Sequence, residues 1–255
     1  MFHLIVLGWL LAALVMLAMW FYQLKTSNAS HVDVAWAYSI GLVSVFYFWL
    51  LESRASTVLL VLICVLVWSM RLGTFLLLRL RGKVEDSRYR DLRASWSQTK
   101  FFIFYQFQAL AVVLFSLPVL ASISSSGGSV LDVKYFIGIS IALMALIGEA
   151  VADRQLERFK KDASQRGKTC RYGLWKYSRH PNYFFEWLFW FSFVAFAWGN
   201  PWGFLAWLGP IVMLVLLFGV TGIPPSEARA LKSRGEDYRR YQATTSVFIP
   251  WFPKS

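Results

Sequence analysis

The residue types best suited to chemistry are concentrated in one stretch of the chain, which reads YGLWKYSRHPNYFFEW from Tyr172 to Trp187. It begins polar and basic, turns at a proline, and runs into an apolar, aromatic segment that also contains Asn182 and Glu186. Ionisable groups at a membrane boundary are costly, so they are usually paired, directed into a cavity or functional. We interpret this stretch as the floor of an active site, with His180 as a further polar member.

The polar residues of this stretch and of two other charged segments indicate the kind of ligand. Arginine and lysine suit phosphate, and arginine can bind it through two parallel hydrogen bonds. Asparagine and glutamate suit a carboxamide or a ribose, and tyrosine and tryptophan stack on planar rings. Arg71 and Arg79 are eight residues apart, so on a helix they share a face. The set predicts a large phosphorylated, ring-containing cofactor, and the apolar interior suits a lipid-like substrate.

Signatures of metal sites and of soluble nucleotide-binding domains are missing from the sequence. His3, His31 and His180 are too scattered along the chain to predict a three-ligand site. Cys64 and Cys170 provide neither a disulfide framework nor a metal-binding spacing. No glycine-rich fingerprint follows a strand, and no P-loop occurs. The sequence therefore predicts no metal and no soluble dinucleotide-binding domain.

Several candidate residues also have purely structural interpretations. Asp33 opens the second apolar block, where it is either a helix cap or a proton donor at the rim of a pocket. Arg71 either extends its charge to the membrane surface or meets an anion. The arginine-rich loop after the third block either only determines topology or contributes to the site. Arg179 and His180 are candidates for binding a pyrophosphate, and His180 is alternatively a hydrogen-bonding residue at the start of a helix.

Composition assigns these residues to a membrane protein. The 255 residues are 57% hydrophobic and 18% aromatic, with a mean hydropathy of +0.49, which is too apolar for a soluble domain. The apolar residues form blocks of about 20, the length of a bilayer-spanning helix. The net charge of +12 comes from cations confined to a few loops, as positive-inside topology requires, and does not indicate nucleic acid.

The hydropathy pattern predicts an all-α, polytopic membrane protein with seven transmembrane helices in one integral-membrane domain, residues 1–255. The cationic loops all fall on one side, which places the N-terminus outside and the C-terminus in the cytoplasm. Short loops favour a bacterial inner membrane. The expected spans are 4–24, 33–52, 57–80, 101–123, 135–150, 182–198 and 202–220.

The motifs together resemble a known family. YGLW at 172–175, SRHPNY at 178–183 and Glu186 are similar to the C-terminal domain of the steroid 5α-reductase superfamily, and more closely to its bacterial DUF1295 branch. DVAW at 33–36, EDSRY at 85–89 and the tail with Glu227, GEDY at 235–238 and TSVFIP at 245–250 strengthen the resemblance, which covers essentially the whole chain. SRHPNY alone is less specific, because isoprenylcysteine methyltransferases and sterol C14-reductases carry a similar element.

The resemblance implies a seven-helix fold that holds NADPH at its cytoplasmic side and passes hydride to the β-carbon of a conjugated enone. Asn182 and Glu186 match family pocket residues, Asp153 an acidic cofactor contact and Tyr177 a tyrosine before the motif. The predicted cofactor-binding residues are Arg71, Arg79, Asp86, Arg88, Tyr89, Asp153, Lys160, Arg171, Tyr172, Tyr177, Arg179, His180, Asn182, Tyr183, Glu227 and Tyr238.

The residues that correspond to the family's catalytic pair differ from it. The steroid enzymes polarise the substrate ketone with a glutamate on the second span and a tyrosine on the third. This chain has Asp33 near the first position and Trp68 at the second, so Asp33, Trp68 and Glu186 are the predicted catalytic residues. Tryptophan has no hydroxyl to donate to a ketone oxygen, which argues against a steroid Δ4-3-ketone as the substrate.

Two other functions share part of this pattern. A methyltransferase that uses S-adenosylmethionine on a prenylated or lipid substrate would share SRHPNY but would not need cations for a 2′-phosphate. A non-catalytic lipid-binding protein would use its polar clusters only to determine topology, which leaves Asn182 and Glu186 without a purpose. The abundance of arginine and lysine favours NADPH.

Overall fold

The structure, a computed structural model, describes residues 1–52, 55–82, 84–124, 129–220 and 222–254. These residues form helices and turns with no β-strand among them, which confirms the all-α class. The α-helices within these ranges are α1 Phe2–Thr26, α2 His31–Leu50, α3 Ser56–Leu80, α4 Ser87–Ser95, α5 Gln98–Ile123, α6 Val133–Lys161, α7 Pro181–Phe196, α8 Leu208–Val215, α9 Ile223–Arg234 and α10 Glu236–Thr244.

Six stretches in the described part of the chain are long and apolar enough to cross a membrane, which indicates an integral membrane protein. They are α1, α2, α3, α5, α6 and the run Gly203–Arg234. The remaining predicted span, 182–198, corresponds to α7, whose 16 residues are too few for this criterion. At 1.5 Å per residue α7 is about 24 Å long, short of a hydrocarbon core of about 30 Å. The count of seven is therefore not confirmed.

The helix boundaries follow local sequence signals. Pro181 begins α7, because a proline at the first helical position loses no hydrogen bond. α6 continues past the predicted end of its span at residue 150 and carries the charged extension to Lys161. An i,i+4 ion pair forms on this extension, with Glu157 and Lys161 joined at 2.7 Å.

The described chain divides into two compact units. The first unit comprises Met1–Tyr135 and Phe196–Leu208. Within it α1 packs against α2 and α5, and α2 packs against α3 and α5. Gly73 makes one close approach possible, because a Cβ at this position would meet the Tyr38 ring at 2.5 Å.

The second unit comprises Phe136–Ala195 and Gly209–Ser255. It contains most of α6 and α7, the polar stretch between them, α9, α10 and the tail that follows α10. α9 packs against α10 and against the π-helical turn Leu216–Val220. The expected single integral-membrane domain stays a prediction.

Candidate functional site

A polar cavity of about 140 Å³ lies within the second unit, between the stretch that precedes α7 and helices α9 and α10. Five of the predicted cofactor-binding residues line it: Arg179, His180, Asn182, Tyr183 and Tyr238. The other lining residues are Leu156, Thr169, Cys170, Trp175, Ser226, Ala230, Arg234 and Tyr241.

The wall of this cavity is fastened to α6 by a turn at Gly173. This glycine has a φ of +59°, and a Cβ here would lie 2.3 Å from Nε2 of Gln155, so the turn requires glycine. The Leu174 amide donates to Oε1 of Gln155 at 2.9 Å. Nε1 of Trp175 donates to the Ala152 carbonyl at 2.9 Å, which joins the next residue to the same helix.

Glu227 on α9 is the centre of the polar network beside the cavity. Its Oε1 accepts hydrogen bonds from Nε of Arg179 at 2.7 Å and from the hydroxyl of Tyr238 at 3.3 Å. The same oxygen lies 3.3 Å from Nε2 of His180. Oε2 accepts from Nε2 of Gln242 at 2.8 Å. These contacts occupy both carboxylate oxygens, so Glu227 connects α9 to α10 and to the residues before α7.

Arg179 also donates to the backbone. Its Nη1 donates to the carbonyls of Gln242 and Thr245, each at 2.9 Å, and its amide donates to the Ser246 carbonyl at 2.8 Å. Arg179, which was predicted to bind a pyrophosphate, therefore holds the end of α10 and the tail in this structure. The role of Arg179 and His180 as ligand contacts stays a prediction.

The side chains at the start of α7 continue the wall of the cavity. The imidazole of His180 stacks on the Tyr183 ring with centroids 5.3 Å apart, and the Tyr183 hydroxyl lies 3.3 Å from Oγ of Ser226. Nδ2 of Asn182 donates to Oδ1 of Asp153 on α6 at 3.2 Å. The structure thus brings together Asp153 and Asn182, two predicted residues that are 29 positions apart.

Glu186 lies one turn further along α7. Its side chain is buried and accepts from Nε1 of Trp190 at 3.4 Å. It is not among the described residues that line the cavity.

Two side chains of the cavity, those of Thr169 and Arg234, could bind a ligand. The hydroxyl of Thr169 is buried and has no hydrogen-bond partner among the described residues. The guanidinium of Arg234 lies over the Tyr238 ring, 5.2 Å from its centroid. Burial, followed by the charge of Glu227, raises the pKa of Tyr238 above its ordinary value, so this phenol stays a hydrogen-bond donor.

Besides Asp153, Glu186 and Glu227, four further predicted residues of the second unit lie outside the lining of the cavity in the described structure. Nη2 of Arg171 donates to Oδ1 of Asp237 at 2.7 Å. The Tyr172 hydroxyl donates to the Gln155 carbonyl. Tyr177 packs on Phe252 in the tail, and Lys160 is exposed at the end of α6.

A second polar cluster lies in the first unit, where α4 meets the start of α2. The carboxylate of Asp33 accepts from Nη2 of Arg88 at 2.9 Å and from the hydroxyl of Tyr89 at 2.5 Å. The N-cap of α2 is Ser30, so Asp33 does not cap this helix. Burial, followed by the Asp33 charge, holds the pKa of Tyr89 well above its ordinary value, so Tyr89 remains a donor.

The EDSRY motif provides the remaining contacts of this cluster. Oε1 of Glu85 accepts from the Ala29 amide at 2.7 Å, and the Asp86 amide donates to Oγ of Ser30 at 2.8 Å. Glu85 also pairs with Arg93 at 2.8 Å. Burial acts to raise the pKa of Asp86, but the hydrogen bonds from Arg88 and the charges of Arg88 and Arg79 together outweigh burial and lower it. The motif thus fastens α4 to the start of α2.

The other predicted residues of the first unit lie on α3. Arg79 lines a small cavity of about 20 Å³ together with Asp33, Asp86 and Arg88. Arg71 is half-buried. Trp68 is completely buried and packs edge-to-face on Trp36, with ring centroids 6.1 Å apart. No group of three or more His, Cys, Asp or Glu side chains that could hold a metal ion forms among the residues that the structure describes.

Sequence reasoning missed Thr169, Ser226, Arg234 and Tyr241 as cavity residues. Tyr241 is three residues beyond Tyr238, so helical spacing could have placed it on the same face. Thr169 carries no such signal, because only the path of the chain brings it to the cavity.

Comparison with known proteins adds a family. An uncharacterized protein of Schizosaccharomyces pombe is 28% identical over 283 residues, an alignment that covers 96% of this chain and 79% of the yeast protein. No solved structure matches the chain. The family described as "Protein of unknown function (DUF1295)" matches residues 19–245, from within α1 to the end of α10. The chain therefore belongs to the DUF1295 family.

Proposed function

We propose that the protein is an NADPH-dependent membrane reductase, related to the steroid 5α-reductase superfamily, that transfers hydride to a conjugated double bond of a lipid-like substrate. One observation carries the proposal: a single cavity in the second unit is lined by two arginines, a histidine, an asparagine and three tyrosines. Such a lining combines phosphate-binding cations with rings that can stack on a nucleotide.

The chemistry of the cavity fits one portion of this cofactor. Arg234 offers a guanidinium to a phosphate, and the buried hydroxyl of Thr169 is a donor that a ribose or phosphate oxygen would satisfy. A volume of about 140 Å³ is smaller than the roughly 300–1,000 Å³ of sites that enclose a whole ligand. We therefore propose that Arg234, Thr169 and Tyr238 hold the phosphorylated end of the dinucleotide.

The cationic lining favours NADPH over S-adenosylmethionine. The methyl donor carries a sulfonium cation and no phosphate, so the Arg234 guanidinium at the cavity offers it little attraction. NADPH carries a pyrophosphate and a 2′-phosphate, either of which Arg234 can bind.

NADPH would supply the hydride, and the chain has to supply a proton to the α-carbon of the substrate. Asp33 remains the proposed proton donor. Both its carboxylate oxygens accept hydrogen bonds, from Arg88 and Tyr89, so one oxygen would first have to leave its contact and take up a proton from water before it could donate that proton to the substrate. Asn182 and Glu186 remain the proposed contacts of the nicotinamide, and the Asp153 carboxylate orients the Asn182 amide. Trp68, packed in the aromatic core, would shape the substrate side and exchange no proton.

We also propose how the chain is oriented in the membrane. The positive-inside rule assigns the charged ends of α3 and α6 and the tail to the cytoplasm and the N-terminus to the outside, with α7 as a seventh, short crossing. A short helix can be accommodated by local thinning of the bilayer. A bacterial inner membrane remains the proposed location.

A thermal-shift series on detergent-purified protein tests the function. NADPH at a hundredfold excess over its dissociation constant should stabilise the fold by about 2.7 kcal/mol. Arg234→Gln should weaken NADPH binding about tenfold, the size of one lost charge-assisted hydrogen bond. Arg239→Gln is the matched control, because Arg239 is exposed on the neighbouring helix α10.

The three candidate functions predict different outcomes. Stabilisation by S-adenosylmethionine alone would refute the reductase and support a methyltransferase. A response to neither ligand would support a non-catalytic lipid-binding protein. Stabilisation by NADPH should be accompanied by oxidation of the bound cofactor when an enone-containing lipid is added.

A further inference from the structure

The tail that follows α10, residues 246–254, is held in place and yet presents large apolar side chains to the outside. Ile249, Trp251 and Phe252 are 56%, 70% and 75% exposed. All three lie outside the stretches that are apolar and long enough to cross a membrane. Exposed apolar residues that cluster in this way indicate an interaction surface.

The tail is fixed by hydrogen bonds to the polar stretch that precedes α7. The Trp251 amide donates to the Tyr177 carbonyl at 2.9 Å, and Oγ of Ser178 donates to the Phe248 carbonyl at 2.7 Å. Because these bonds order the backbone in advance, little conformational entropy is lost when the exposed rings bind a partner.

Phe248 packs where two apolar segments of the second unit meet: the start of α7 and the turn that follows α8. Phe248 is buried, with its ring 5.8 Å from Phe184 and 5.5 Å from Trp187 in the first turns of α7. It also lies 5.3 Å from Phe218, in the π-helical turn after α8. Tail residues on either side of Phe248 therefore lie beside the polar ends of apolar helices.

The charges around the exposed rings are positive. Lys254 follows them in the tail, and Lys176 lies on the adjoining turn next to Tyr177, the ring on which Phe252 packs. Both lysines are exposed. Tryptophan and phenylalanine flanked by lysine are the residues that bind the boundary between lipid headgroups and acyl chains.

We propose that this tail is an interfacial anchor that inserts Ile249, Trp251 and Phe252 into the headgroup boundary of the bilayer crossed by the helices, with Lys176 and Lys254 bound to anionic lipid phosphates. The anchor does not depend on the proposed reductase activity. It also positions Arg179, because the Arg179 amide donates to the Ser246 carbonyl in the tail.

Site-directed spin labelling of the full chain in nanodiscs tests the anchor. Labels at Trp251→Cys and Phe252→Cys, in a chain with Cys64→Ala and Cys170→Ala, report collision with membrane-soluble oxygen and with a water-soluble nickel complex. The matched control is a label at Arg239→Cys, an exposed position on α10. Collision with nickel should be several-fold lower, and collision with oxygen several-fold higher, at the two tail positions than at the control.

Two results would overturn the anchor. Tail labels that meet the nickel complex as often as the control would show that the rings remain in water. Tail labels shielded from both reagents, or broadened by a second label, would show that protein covers them. If the cysteine-free chain fails to fold, quenching by brominated acyl chains, compared between the native chain and Trp251→Phe, measures the same depth.

Lipid charge tests the lysine contacts separately. Nanodiscs with anionic lipid should hold the tail labels deeper than nanodiscs with zwitterionic lipid alone, and Lys176→Glu with Lys254→Glu should remove this difference. Equal depth in both lipids for the native lysines would overturn the contact with phosphate.

Discussion

Nε of Arg179 donates to Oε1 of Glu227 at 2.7 Å, and the two side chains are only 11% and 16% exposed. The pair joins residues 48 positions apart and connects the start of α7 to α9. A nearly buried ion pair of this kind leaves an uncompensated charge when one partner is removed. We therefore expect removal of either partner to destabilise the second unit.

Glu227→Gln should destabilise the fold by about 3 kcal/mol, because it leaves the buried guanidinium of Arg179 without its counter-ion. Thermal unfolding in detergent, followed by circular dichroism, measures the effect. Glu236→Gln is the matched control, since Glu236 and its partner Arg239 are 71% and 72% exposed and 3.8 Å apart. We expect this control to cost less than about 1 kcal/mol. Equal effects of the two substitutions would contradict the central role of Glu227.

Asp237 should make the stability of the second unit depend on pH. Burial acts to raise the pKa of Asp237, but the hydrogen bond that the Thr169 amide donates to Oδ2 at 2.8 Å and the charge of Arg171 outweigh it, so the pKa lies below its ordinary value. A depressed pKa contributes stability that is fully present above the unfolded-state pKa of about 3.9 and is lost as the pH falls through the folded pKa.

The native chain and Asp237→Asn should therefore differ by a constant free energy of unfolding between pH 7 and 5. The difference should shrink below about pH 4. Thermal melts across this range provide the measurement. A difference that persists unchanged at the lowest pH at which the protein stays folded would show that Asp237 does not act through its charge.

Asp33→Asn should loosen α4, because Arg88 and Tyr89 both donate to this carboxylate. Hydrogen bonds to charged groups contribute about 1.5–3 kcal/mol. Hydrogen–deuterium exchange should therefore increase across Ser87–Ser95. Asp91→Asn serves as the control, since Asp91 is an exposed carboxylate on α4 itself.

The same substitution separates two roles of Asp33. If Asp33 is the proton donor, the substitution Asp33→Asn should lower turnover and leave NADPH affinity nearly intact. Tyr89→Phe removes one contact and keeps the carboxylate, so it should change exchange in α4 more than turnover. Unchanged exchange in both variants would refute the fastening of α4 by this cluster.

Gly173→Ala should destabilise the fold more than Gly167→Ala does. Both glycines have positive φ, at +59° and +77°, so each alanine meets a backbone cost of roughly 1 kcal/mol. Only at Gly173 would the added Cβ also collide with the Gln155 side chain, whereas at Gly167 no atom of the described structure lies within 4 Å. The difference between the melting temperatures of the two variants therefore measures the cost of the contact between the added Cβ and the Gln155 side chain. Equal shifts would show that Gln155 moves aside freely.

Much of the fold follows from local sequence. A run of apolar side chains long enough for a bilayer predicts a helix wherever it occurs, and the six long stretches match predicted spans. Glu157 and Lys161 stand at the i,i+4 spacing that brings opposite charges together on a helix, and they form an ion pair. The lengths of the helices were less predictable. Whether α7 is long enough to cross a bilayer depends on its last few residues, and the sequence indicates the ends of a helix less clearly than its middle.

The sequence by itself determined the helical class, the membrane character and which residue types are available for chemistry, because hydropathy and helical spacing are properties of neighbouring residues. Only the tertiary structure decided their partners. Arg88 reaches Asp33 across 55 positions, and Arg179 reaches Glu227 across 48, in each case because folding brings distant segments together. An arginine read alone therefore indicates an anion, but the path of the chain decides whether that anion is a ligand phosphate or a carboxylate of the protein.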